Sequence, residues 1–190
     1  MLFRSIGLTS DGEYCDIELE GVISSADALA ALNANSVKNI TVTSFKELPN
    51  DAKNAMAAAA ASDYDIFIAK DKYNIEEKKI ISAFYEFISQ NEIIVLKKSK
   101  RKEEKTDILP FIYGYRISCD DSGINIYLNL CAGSVNNIKP ELVLESFFQY
   151  LGFDRGSEHI RSFAKINRID TYCNIEGKFV SLGDIGSDIK

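Results

Sequence analysis

The stretch from Gly123 to Gly152, GINIYLNLCAGSVNNIKPELVLESFFQYLG, constrains the fold of this chain more than any other. Ile124, Ile126, Leu128 and Leu130 alternate with Asn125, Tyr127, Asn129 and Cys131, the two-residue period of a strand with one apolar face. Gly133, Ser134, Asn136 and Asn137 then supply turn chemistry. Pro140 stands where a first helical residue tolerates a missing N–H. Glu141 suits the positive end of the helix dipole. Leu142, Leu144, Phe147, Phe148 and Leu151 give the helix a broad apolar face, and Gly152 suits a left-handed stop. This unit fixes local fold and names no reaction.

Upstream, the pattern predicts alternating strands and helices. Glu13 to Glu20 alternates Tyr14, Asp16, Glu18 and Glu20 against Cys15, Ile17 and Leu19, which reads as a half-buried strand. Ser24 or Ser25 caps a short helix packed through Ala28, Leu29, Ala31 and Leu32. A second strand is predicted over Lys38 to Glu47, ended by Pro49 and Asn50. Asp51 to Ala61 is alanine-rich and reads as a helix, since alanine has the highest helix propensity. Asp63 to Lys70 reads as a third strand. Asn74 is placed to cap a helix from Ile75 to Gln90, and Glu92 to Leu96 reads as a fourth strand. With the alanine-rich helix taken as an insertion, residues 13–97 give the split βαβ order of the ferredoxin-like fold.

A charge run follows, KKSKRKEEKTD over 97–107, in which six of eleven residues are basic. Its simplest reading is a solvated connection. Tyr115 to Cys119 and Gly123 to Leu130 make a hairpin around Asp120-Asp121-Ser122. Asp154 to Ser162 reads as a polar linker and Ala164 to Ile175 as a last strand. The expected class is therefore α+β: a ferredoxin-like region over 1–98, a charged connection over 99–106, a ββαβ region over 107–176, and a flexible, glycine-rich tail over 177–190.

The 190 residues are 46% hydrophobic, enough for a sizeable core. The net charge of −6 argues against broad electrostatic capture of nucleic acid. No 18-residue apolar run occurs, so no transmembrane helix is expected, and the opening residues are too short for a signal peptide. A cytoplasmic chain is expected. Cys15, Cys119, Cys131 and Cys173 form no CxxC and read as reduced thiols, so no metal site and no cofactor is expected. GxGxxG, P-loop and GxSxG patterns are all missing. His159, the single histidine, falls in the polar linker. Asp16 with Glu18 reads as a solvent-facing pair, and Asp120 with Asp121 as turn chemistry. No catalytic residue is assigned.

The best case for a ligand is nucleic acid. The basic run lies beside Tyr113, Tyr115 and Arg116, and cations for phosphates with rings for stacking are what single-stranded RNA binders combine. The candidate contacts are Lys98, Lys100, Arg101 and Lys102, with Arg168 added if the last strand lies nearby. An unrecognised enzyme using Asp16, Glu18 or Asp107 is the remaining reading.

Several segments together resemble the bacterial radical-SAM-linked protein family, a domain of unknown function. They are GLTSDGEYCDIELE, ALNANSVKNITVTSFKELP, DAKNAMAAAAASDYDIFIA, KKSKRKEEKTDILPFIYGY, LNLCAGSVNNIKPELVLESFFQYLG and INRIDTYC. The resemblance implies an accessory or substrate-presenting module for a separate radical SAM enzyme, with RNA as a candidate substrate. The CxxxCxxC trio that would hold that enzyme's cluster is missing here. Family members usually carry a further N-terminal segment, and any function resting on it is not expected of this chain. The family brings no accepted catalytic residues to carry over.

Overall fold

A computed structural model describes residues 8–73, 76–98, 103–153 and 156–190. Its elements in chain order are β1 (Leu8–Ser10), α1 (Ser25–Asn35), α2 (Ala55–Ala58), β2 (Ala59–Ala69), α3 (Glu77–Ile88), β3 (Ile94–Lys98), β4 (Glu103–Asp107), β5 (Ile112–Asp120), β6 (Gly123–Cys131), α4 (Pro140–Tyr150), α5 (Ser157–Phe163), β7 (Ala164–Ile175) and β8 (Lys178–Ser181). The expected mixture of α and β holds.

One sheet has the order β1-β7-β2-β6-β5, with β8 also pairing β7; β3 and β4 form a separate two-stranded ribbon. The four long strands β7, β2, β6 and β5 pair antiparallel, and the short β1 joins β7 in parallel. Strands on both sides of the charged run therefore share one sheet, and the two-region division dissolves into it.

Alternation explains the two faces. Tyr64, Ile66 and Ile68 of β2 lie beside Ile124, Ile126, Leu128 and Leu130 of β6 and Ile166 of β7, all buried. Helices α3, α4 and α5 cover this face. Phe84 and Phe87 of α3 meet Phe147 of α4 with ring centroids 5.0 and 5.5 Å apart, and Phe148 meets Phe163 of α5 at 5.6 Å. Gly123 is required where β6 starts, because a Cβ there would lie 2.1 Å from the Ile68 carbonyl oxygen. Gly152 takes φ +84° and ends the turn after α4, as its left-handed preference predicts.

Several expectations are corrected. The strands predicted over 13–20 and 38–47 do not form, apart from one bridge between Glu47 and Ser187. The split βαβ order predicted for 13–97 thus lacks its first two strands there. The alanine-rich helix stops at Ala58, and β2 begins at Ala59. Pairing of Ala61 with Cys131 on one side and Tyr172 on the other overrides alanine's helix preference. The charged connection is partly a hairpin, β3 with β4, and Asp107 closes its base by accepting the N–H groups of Ile93 at 2.8 Å and Leu109 at 3.0 Å. The polar linker holds α5, which contains His159. The tail expected to be flexible pairs as β8 with β7, and Ile189 exchanges hydrogen bonds with Ser25 at 2.9 Å each way. The Asn74 cap lies outside the described residues.

Candidate functional site

On the other face of the sheet, two rows of side chains line an open groove among the described residues. Strand register places its side chains in rows. One row runs Ser118, Asn125, Phe67, Lys165 across β5, β6, β2 and β7. The next runs Arg116, Tyr127, Asp65, Asn167, and reaches Thr9 of β1. These two rows line an open groove of about 390 Å³. A third row holds Asn129, Asp63 and Asp170.

Each ring in the groove has a cation over it. The Arg116 guanidinium carbon lies 5.3 Å from the Tyr127 ring centroid, and Lys165 Nζ lies 5.8 Å from that of Phe67. Both distances are within the range of cation–π attraction. Among the described residues, no ion pair engages Arg116, Lys165 or Asp65. Asn167 is oriented by donating to Asp11 Oδ2 at 2.7 Å.

Beside the groove, in the third row, Asp63 organises a polar knot. It accepts from Tyr172 Oη at 2.9 Å and from the Asn129 amide. Burial first, then the Asp63 carboxylate, push the Tyr127 phenol up to about 12. The same two causes raise Tyr172 above its ordinary value. Both phenols therefore stay protonated through the physiological range. The groove offers donors, an open carboxylate and two ring faces.

The sequence-predicted residues separate. Arg116 is in the groove. Tyr115 is on the covered face, 6.2 Å from Phe84 and 6.1 Å from Tyr85 between centroids. Tyr113 stacks on Phe179 of β8 at 5.2 Å, and burial followed by its contact with Cys131 pushes it up to about 12. Lys98 is the last residue of β3; Lys100, Arg101 and Lys102 lie outside the described residues. Arg168 is buried on the helix-covered face, opposite to the groove, with Glu13 Oε1 at 3.5 Å.

The acids weighed for an enzyme have local roles or stand open. Asp16 accepts the Ala55 N–H at 2.8 Å, Asp107 closes the hairpin, and Glu18 is exposed. Asp120 is held below the usual carboxylate range by hydrogen bonds from Ser122, the turn role its sequence implies.

Sequence reasoning did not find Phe67, Lys165, Asn167 or Asp65. Their signal was the polar half of each strand's alternation, which says that a face is open but not which strands share it.

A family model described as an uncharacterized protein conserved in bacteria (DUF2344) matches residues 4–140, ending at the first residue of α4. No curated protein matches the chain. Among solved structures, a chain of the "Crystal Structure of a Cbf5-Nop10-Gar1 Complex" is similar at 16% identity and a TM-score of 0.39, with 61% of this chain and 32% of that chain covered.

Proposed function

The chain belongs to the uncharacterised bacterial family DUF2344, and we propose that it is a non-catalytic, substrate-presenting module that binds single-stranded RNA on the open face of its sheet. The observation that carries this reading is the pairing of Arg116 with Tyr127 and of Lys165 with Phe67 along one groove. Half-buried rings that line a groove accept unstacked bases, and their cations reach the flanking phosphates. Asn125, Asn167 and Asp65 supply donors and acceptors for base edges. We read β2-α3-β5-β6-α4-β7, with the β3–β4 ribbon and α5 as additions, as the ferredoxin-like β–α–β–β–α–β arrangement that presents such a face.

The net charge of −6 then has a consequence. Attraction comes from stacking more than from phosphates. Two cations on a single strand give a logarithmic salt slope of only about −1.4. Anisotropy titrations of a labelled single-stranded oligoribonucleotide at several salt concentrations test this. A steep slope, abolished by neutralising Lys98, Lys100, Arg101 and Lys102, would move the binding site to the basic run instead.

The resemblance to radical-SAM-linked proteins supplies the second part of the reading. The module works in the cytoplasm beside a separate radical SAM enzyme and offers it the bound RNA. Co-purification of such an enzyme with the tagged chain, surviving nuclease, is the expected result. Isolation without any enrichment of that enzyme counts against this part and leaves the groove reading standing.

A further inference from the structure

The covered face of the sheet contains an arginine that its surroundings do not satisfy. Arg168 is 8% exposed and lies opposite Tyr64 of β2 and Ser10 of β1. Its nearest acid, Glu13, is 3.5 Å from one terminal nitrogen, well beyond the 2.7–2.9 Å of a charge-assisted hydrogen bond. Its Nε has no hydrogen-bond partner, and neither has the buried Oγ of the neighbouring Ser10. Buried donors are normally satisfied, and an unsatisfied charged one is costly. The unpartnered Arg168 Nε, on a side chain that lines a cavity, points to an acceptor from outside the chain.

A cavity lies where that acceptor would sit. It measures about 90 Å³ and is lined by Arg168, Tyr64, Ser62, Thr171, Lys139 and the first turn of α4. A water's share of liquid volume is about 30 Å³, so the space suits one small oxyanion and nothing as large as a nucleoside. The charges around it are accounted for. Glu141, in the first turn of α4, is 3% exposed and is occupied by Arg161 Nε at 2.9 Å. Glu13 is the loose partner of Arg168. Lys139, just before α4, is exposed and has no ion pair among the described residues. The balance is three cations against two acids, at the positive end of an eleven-residue helix. Pro140 removes the first helical N–H, so side chains rather than backbone amides must hold the anion.

We infer that this cavity is a binding site for a single phosphate group, held by Arg168 and Lys139 at the start of α4. It faces away from the groove and does not depend on the RNA reading. The phosphate belongs either to free orthophosphate or to the terminus of a small phosphomonoester.

Thermal unfolding and calorimetric titration of the full chain, in phosphate and chloride buffers of equal ionic strength, test the site. Phosphate is expected to raise the melting temperature and to bind saturably. Lys139→Glu alters only an exposed side chain and is expected to weaken binding by about tenfold or more. Arg168→Lys, which keeps the charge and loses the fork, is expected to weaken it similarly. Methyl phosphate binding as well as orthophosphate marks the ligand as a phosphomonoester terminus; orthophosphate alone marks the free ion. Equal melting in the two buffers overturns the inference. So does undiminished phosphate binding by Lys139→Glu, or binding of acetate with none of phosphate. If Arg168→Lys fails to fold, Lys139→Glu still decides.

Discussion

Strand β2 shows both faces of the sheet within eleven residues. Ser62, Tyr64, Ile66 and Ile68 turn towards the helices and are buried; Asp63, Asp65 and Phe67 turn away. On the covered side, each large side chain contributes about 1.5–3 kcal/mol by leaving water. On the open side, cross-strand pairs contribute roughly 0.2–1 kcal/mol each. The covered face therefore holds the fold together. The open face is comparatively free to carry chemistry, and it carries rings and cations that a merely solvated face does not need. Substitutions on the two faces should separate stability from binding.

The largest expected effect is on the covered side. Phe147→Ala removes the ring that joins Phe84, Phe87 and Phe148, and should cost about 3–5 kcal/mol in urea unfolding. RNA affinity per folded molecule should not change. Gly123→Ala comes next. Its Cβ would meet the Ile68 carbonyl oxygen at 2.1 Å, so β2 and β6 must part at that end, at a cost of roughly 3 kcal/mol in the same assay.

The sequence made this division legible only in part. The strand–turn–helix unit of β6 and α4 was readable because its periodicity, Pro140 and Gly152 all agree. The predicted bounds of β7 are those observed, because alternation runs along its whole length. The segments 13–20 and 38–47 alternate as well, but a strand needs a partner, and no pattern within a segment says whether one is nearby. Lys165 and Phe67 are adjacent only through pairing between residues nearly a hundred positions apart. Arg168 read as a candidate RNA contact, and the β7 register turned it inwards. The tail read as loose because β8 is only four residues long and depends on β7 for its order.

Smaller effects sharpen the comparison on the open side. Tyr172→Phe deletes the hydroxyl that donates to Asp63 and should cost about 1 kcal/mol, with groove binding retained. An alkaline titration follows from Tyr127. An unfolded tyrosine ionises near 10.0, whereas Tyr127 in the folded chain keeps its proton up to about 12. The folded state then binds the proton more tightly. The contribution of this group is intact below the unfolded value and is lost as pH rises towards the folded one. Urea midpoints should fall over that window, and Tyr127→Phe should fall less steeply than the unsubstituted chain.

The most direct test of the central claim is RNA affinity after removal of the two groove rings. Phe67→Ala and Tyr127→Ala should each leave stability within about 1 kcal/mol. Each should weaken single-stranded RNA binding by roughly tenfold, as expected for the loss of one stacked base. Unchanged affinity in the folded double variant would contradict the account and take the RNA site away from the open face.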